Sequence, residues 1–120
     1  MNATPRTALL LCDEEEVHDL AEAWLLAAGW HVLSAPNGSS AARRIRDKPI
    51  DLLVLDALPI YFPDLPGVRE LKEHGHFRVI LIPRLGEELE RGVARTAGVD
   101  VILDRPLRRV TLLSAIGPSR

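Results

Sequence analysis

Apolar runs and helically spaced apolar residues take turns along this chain. Thr7-Ala8-Leu9-Leu10-Leu11-Cys12 is a short apolar run that stops at four acids, Asp13-Glu14-Glu15-Glu16. Val17, Leu20, Ala21, Trp24, Leu25 and Ala28 then recur at three-and-four spacing. That spacing predicts a helix with one buried face, and Gly29 is its stop signal. Residues 30–35 predict a second strand, closed by Pro36-Asn37-Gly38. Residues 39–47 predict a weaker helix with Ala41, Ala42 and Ile45 inward and Arg43, Arg44 and Arg46 outward. Ile50-Asp51-Leu52-Leu53-Val54-Leu55-Asp56 is the most apolar stretch and predicts a strand covered on both faces. A proline-rich loop over 57–66 follows, then a short helix over 67–74 and a strand over 77–82. A helix over 87–97 closed by Gly98, a strand over 99–104 and a final helix over 107–116 complete the pattern.

Strand followed by helix, repeated with no linker, is the signature of an α/β doubly wound sheet with helices on both faces. Right-handed crossovers leave few arrangements, and the expected five-stranded parallel order is 2-1-3-4-5, a flavodoxin-like topology. The chain is expected to be a single domain over 1–120 with its core over 7–116, a length ordinary for one domain.

Composition narrows the function. Fifteen basic against seventeen acidic side chains leave a formal charge of -2, which speaks against a dedicated nucleic-acid binder or a polybasic membrane anchor. The Arg43, Arg44, Arg46 and Lys48 group reads as a solvated helix face. A single cysteine, Cys12, excludes an internal disulfide, so a reduced, cytoplasmic protein is the expectation. No apolar run approaches the ~18 residues of a spanning helix. His18, His31, His74 and His76 look scattered, with no ligand spacing tied to the acids.

In sheets of this kind, ligands bind beyond the carboxyl ends of the strands where the winding reverses, here between strands one and three. Cys12-Asp13 and Asp56 end those strands, so two carboxylates converge on one edge. Two ionised carboxylates repel, and a divalent cation or a raised pKa resolves the conflict. The acids at 13–16 also exclude a phosphate-bearing cofactor, which needs backbone donors and small residues there.

At these residues the sequence resembles the receiver domain of two-component response regulators. Leu11-Cys12-Asp13-Glu14-Glu15-Glu16-Val17 resembles that family's acidic turn, and the stretch ending at Asp56 its phosphoacceptor strand. Gly98-Val99-Asp100-Val101-Ile102-Leu103-Asp104-Arg105-Pro106-Leu107 is similar to its last strand and the Lys-Pro turn after it. The resemblance implies that Asp56 is the phosphoacceptor. It also implies that Asp13, Asp56 and the backbone carbonyl of Leu58 hold Mg2+. The metal would neutralise charge on the incoming phosphoryl group.

Four departures from the family pattern set the functional expectation. Cys12 stands in place of the first acid, and a thiol is a poor ligand for Mg2+, so the ion is expected to bind weakly, with Glu14 as a partial substitute. Pro83 replaces a Thr or Ser and lacks both hydroxyl and N–H. Arg105 replaces the lysine, its fork able to pair with Asp56 or with Asp104. Ile102 replaces an aromatic switch residue. Ile60, Tyr61 and Phe62 read either as cover for the sheet edge or as a docking patch. The leading reading is an atypical receiver, or pseudo-receiver, with impaired phosphorylation switching that acts through protein–protein contacts. A working phosphoacceptor using Asp56 and Mg2+ is the alternative, and a small aspartyl-nucleophile enzyme a remote one, because Leu58 stands where such phosphatases need a second acid. The expected partners are a histidine kinase or another signalling protein; the resemblance also implies a second copy docking through the fourth helix, fifth strand and fifth helix, where Leu89, Val93, Val110 and Leu113 could equally be core.

Overall fold

The computed structural model describes residues 5–56, 67–83 and 98–117. Five parallel strands form one sheet in the order β2-β1-β3-β4-β5. The strands are β1 (Thr7–Leu11), β2 (His31–Ser34), β3 (Leu52–Leu55), β4 (Arg78–Leu81) and β5 (Val101–Ile102). Four described helices join them: α1 (Glu15–Ala27), α2 (Gly38–Asp47), α3 (Val68–Lys72) and α4 (Arg109–Ala115). The helix expected over 87–97, the loop over 57–66 and, with them, Leu58, Ile60, Tyr61, Phe62, Leu89 and Val93 lie outside the described residues.

The two faces of the sheet explain why its central strands read as unbroken apolar runs. Successive side chains of a strand point to opposite faces. Leu9, Leu11, Leu53, Leu55, Val79 and Leu81 therefore share one core with Ala41, Ala42 and Ile45 of α2 and Val68 and Leu71 of α3. Ala8, Leu10, Leu52, Val54 and Ile80 share the other with Val17, Ala21 and Leu25 of α1 and Leu112 of α4. Trp30 is buried in the second core, with the Arg6 guanidinium 4.4 Å from its ring centre, and Trp24 packs at that core's margin.

Local chemistry sets the helix ends. The Asn37 side chain accepts the Ser40 N–H at 2.8 Å and caps α2, supplying a partner for one of the otherwise unpaired first-turn donors. Gly29, at φ +90°, takes the left-handed conformation that turns the chain out of α1. This turn leaves Ala28 exposed rather than on the buried face that its spacing suggested. Gly98 is also left-handed, at φ +107°, and a Cβ there would lie 3.0 Å from Val68 Cγ1.

The elements differ from the sequence expectation mainly at their ends. The fifth strand pairs only over Val101–Ile102 instead of 99–104, although Asp100 and Leu103 still donate backbone hydrogen bonds to Val79 and Leu81. The last helix starts at Arg109 rather than 107, because Leu107 is a buried anchor ahead of it. No helix among the described residues is long and apolar enough to cross a membrane.

Candidate functional site

Strand register assembles the site. Leu11 of β1 pairs with Leu55 of β3, and Leu55 with Leu81 of β4. One step further along each strand lie Cys12, Asp56 and Ile82, with Pro83 next and Arg105 arriving just beyond β5. The alternation that sends Leu10 and Val54 toward α1 sends Cys12 and Asp56 the same way.

Asp56 is fully buried, the one charged side chain among the described residues that is. Its Oδ2 accepts the Glu14 backbone N–H at 2.6 Å, while its Oδ1 is buried without a hydrogen-bond partner. A buried carboxylate oxygen left unpaired costs free energy. Glu14 also acts through its side chain. Its Oε2 forms an ion pair with Arg105 Nη2, and Arg105 Nε donates to the Pro83 carbonyl. Because Nη2 makes no aligned hydrogen bond there, the pair is a charge contact rather than a fork-to-carboxylate bridge. Among the described residues the acid paired with Arg105 is Glu14, where the sequence pointed to Asp56 or Asp104.

Cys12 packs against the α1-side core and its Sγ lies 3.8 Å from the Val54 carbonyl oxygen, a weak thiol hydrogen bond. Burial raises its pKa well above the ordinary thiol value, and the negative charges of Asp56 and Glu14 push it further up while Arg105 opposes them. The thiol stays protonated and offers nothing that Mg2+ prefers. Asp13 is exposed beside it. The pocket thus holds two oxygen acids at strand ends, Asp13 and Asp56, and an orphan Oδ1 aimed at neither backbone nor side chain. Glu14, the third acid, is occupied by Arg105.

A second cluster sits at the same edge, on the β2 side, and the sequence reading missed it. His18 Nδ1 lies 3.0 Å from Asp19 Oδ1 and its Nε2 lies 2.7 Å from Ser34 Oγ. Ligand atoms of His18, Asp19 and Glu22 all fall within 4.8 Å of one another. The histidines are therefore not all remote from the acids. The overlooked signal was the four-residue spacing of His18 and Glu22, which puts both on one helix face. Of the residues weighed as a dimer surface, Val110 is exposed and Leu113 half-buried, so Val110 is not core.

This geometry can be set beside known proteins. No protein-family model matches the chain. The transcriptional regulatory protein AruR of Pseudomonas aeruginosa is 30% identical over 122 residues, covering 95% of this chain and 48% of AruR. A response regulator receiver domain protein from Clostridium thermocellum superimposes with a TM-score of 0.75 at 25% identity, covering 92% of this chain and 90% of that one. The domain is of the response-regulator receiver type. This receiver domain spans about half the length of the curated relatives it matches. A third similar structure, the receiver domain of a sensor histidine kinase from Pseudomonas aeruginosa, has a TM-score of 0.74 at 21% identity over 94% of this chain and 95% of that one. That protein carries a magnesium ion coordinated in its active-site cleft.

Proposed function

We propose that this receiver domain belongs to two-component signalling as an atypical member, with Asp56 at the phosphoacceptor position and its phosphorylation switch impaired. It works through contacts with a histidine kinase or another signalling protein. The observation that carries this reading is the Arg105 contact set. A cation that would be free to meet an incoming phosphoryl group is instead held by Glu14 and the Pro83 carbonyl. Pro83 offers no hydroxyl to follow a phosphoryl oxygen, and Ile102, half-buried on β5, has no ring to swing. A switch needs a ligand that interacts differently with two states, and these residues supply little such difference.

Mg2+ fits the donor set only in part. Asp13 and the orphan Oδ1 of Asp56 suit a hard cation, whereas the protonated Cys12 thiol does not. When bound, the ion would neutralise charge on the group being transferred. The chain's own part is simpler: the Glu14 N–H fixes the Asp56 carboxylate through Oδ2 and leaves Oδ1 as the nucleophilic atom. Attack by Oδ1 on phosphorus would form the O–P bond as the donor's leaving group departs with the electron pair of the broken bond.

That unpaired Oδ1 is also the observation favouring a second reading, a working phosphoacceptor, since a cation or phosphoryl group would relieve it. Incubation with acetyl phosphate and Mg2+ followed by intact-mass measurement separates the two. Slow or absent addition is expected. Rapid, stoichiometric addition that disappears in Asp56→Asn would establish the second reading and end the first.

A further inference from the structure

We propose that His18, Asp19 and Glu22 form a binding site for a divalent transition-metal ion of the zinc class, separate from the Asp56 pocket. The site lies where the first turns of α1 meet the end of β2, with Ser34 as its outer support.

The distances are those a small ion requires. Zinc-to-nitrogen and zinc-to-oxygen bonds are about 2.0–2.2 Å, so neighbouring ligand atoms around the ion stand roughly 3–3.5 Å apart. Nδ1 of His18 and Oδ1 of Asp19 are already 3.0 Å apart. A Glu22 carboxylate oxygen completes the set, the three residues each offering one ligand atom within 4.8 Å of the other two. Glu22 follows His18 by four residues, which stacks the two on one face of α1.

The second nitrogen of the ring strengthens the assignment. A metal-binding histidine almost always donates its other ring N–H to a fixed acceptor, which sets the tautomer and the ring plane. Here Nε2 faces Ser34 Oγ at 2.7 Å, on a different element from the three donors. A metal at Nδ1 would take the place of the hydrogen that Nδ1 now gives to Asp19 Oδ1, with the Nε2–H then donating to Ser34 Oγ. The surroundings favour a cation. Glu15 and Glu16 occupy the first turn of α1 and offset the positive end of its dipole. Access is open, since the His18 side chain is 24% exposed and that of Asp19 63%. Imidazole selects zinc, nickel or copper over Mg2+, so the two sites take different ions.

Titration of the whole chain with Zn2+ in a calorimeter, beside His18→Ala, Glu22→Gln, Ser34→Ala and Asp56→Asn, tests the assignment. One Zn2+ is expected to bind in the micromolar range or tighter. His18→Ala and Glu22→Gln should each weaken binding about 10–100-fold, Ser34→Ala less, and Mg2+ in excess should not compete. Asp56→Asn should leave Zn2+ binding unchanged, which keeps this site apart from the phosphoacceptor reading whatever the fate of that reading. Undiminished binding in both His18→Ala and Glu22→Gln, or no binding to the intact chain, would overturn it. Because the His18 and Glu22 side chains are only partly buried, circular dichroism should show those two variants folded.

Discussion

The Asp56 pocket and the His18 cluster sit along one edge of the same sheet and are both lined with acids, yet they solve the charge problem differently. Asp56 is fully buried, and the chain brings a cation of its own, Arg105, to the acid next to it. Asp19 is largely exposed, and water or an ion can serve instead. Burial is the cause. A charge removed from water needs an internal partner, whereas an exposed one is screened. The resident cation meets Glu14 and leaves Asp56 Oδ1 unpaired, so the buried charge is only partly compensated, while the exposed cluster stays open to solvent.

The contrast can be broken most forcefully on the strand that carries Asp56. Leu55, fully buried one residue before Asp56, should cost about 2–5 kcal/mol when changed to Ala, as measured by urea unfolding. Glu22→Gln at the exposed cluster should stay within about 0.5 kcal/mol. Similar small losses at both places would mean that the pocket is not built on a packed core.

Cys12→Asp comes next. A further carboxylate beside Asp56 should destabilise the metal-free chain by about 1–3 kcal/mol. It should also tighten Mg2+ binding by about 10-fold, near 1.4 kcal/mol. Titration showing no gain would point to Arg105 as the block. Arg105→Ala then sharpens the comparison. It releases Glu14 to the pocket, so Mg2+ should bind several-fold more tightly and Zn2+ no differently. The stability cost should be about 1 kcal/mol or less, because both partners are partly exposed to screening solvent. Equal Mg2+ affinity before and after would show that the ion pair does not close the site.

The smallest effect is a rate. The Cys12 thiol should react slowly with iodoacetamide at pH 8 in the native chain and quickly in urea, since burial and the neighbouring acids keep its proton on. The same cause gives a pH trend. The unfolded thiol ionises first, near its ordinary value of 9.0, so this contribution is complete below that pH and shrinks as pH rises. Equal native and unfolded labelling rates would contradict the burial.

Much of this architecture was legible from spacing. Ala41, Ala42 and Ile45 turn inward and their arginine neighbours outward, because a helix that must bury one stripe writes its period into the sequence. The strands β1 and β3 were legible as continuous apolar runs because both of their faces are covered. The convergence of Cys12, Asp13 and Asp56 followed from strand order, and the parallel register places them as neighbours. Element ends were less visible: Ala28 has the right spacing for the core, but the helix has already ended and the chain is turning at Gly29.

By itself, then, the sequence determined the order of elements, the two buried faces and the acids that reach the carboxyl edge, since periodicity and chain order act locally. Which acid Arg105 would meet was decided only by the tertiary structure. The sequence pointed the long flexible side chain of Arg105 to Asp56 or Asp104 and gave no sign of Glu14. The choice fell to Glu14 because its own backbone N–H is fixed on Asp56, which anchors its side chain where the Arg105 guanidinium arrives from β5. The His18 cluster was hidden for a related reason. Its spacing to Glu22 lies in the sequence, but Ser34 comes from another strand, and only packing of α1 beside β2 brings that hydroxyl against the ring.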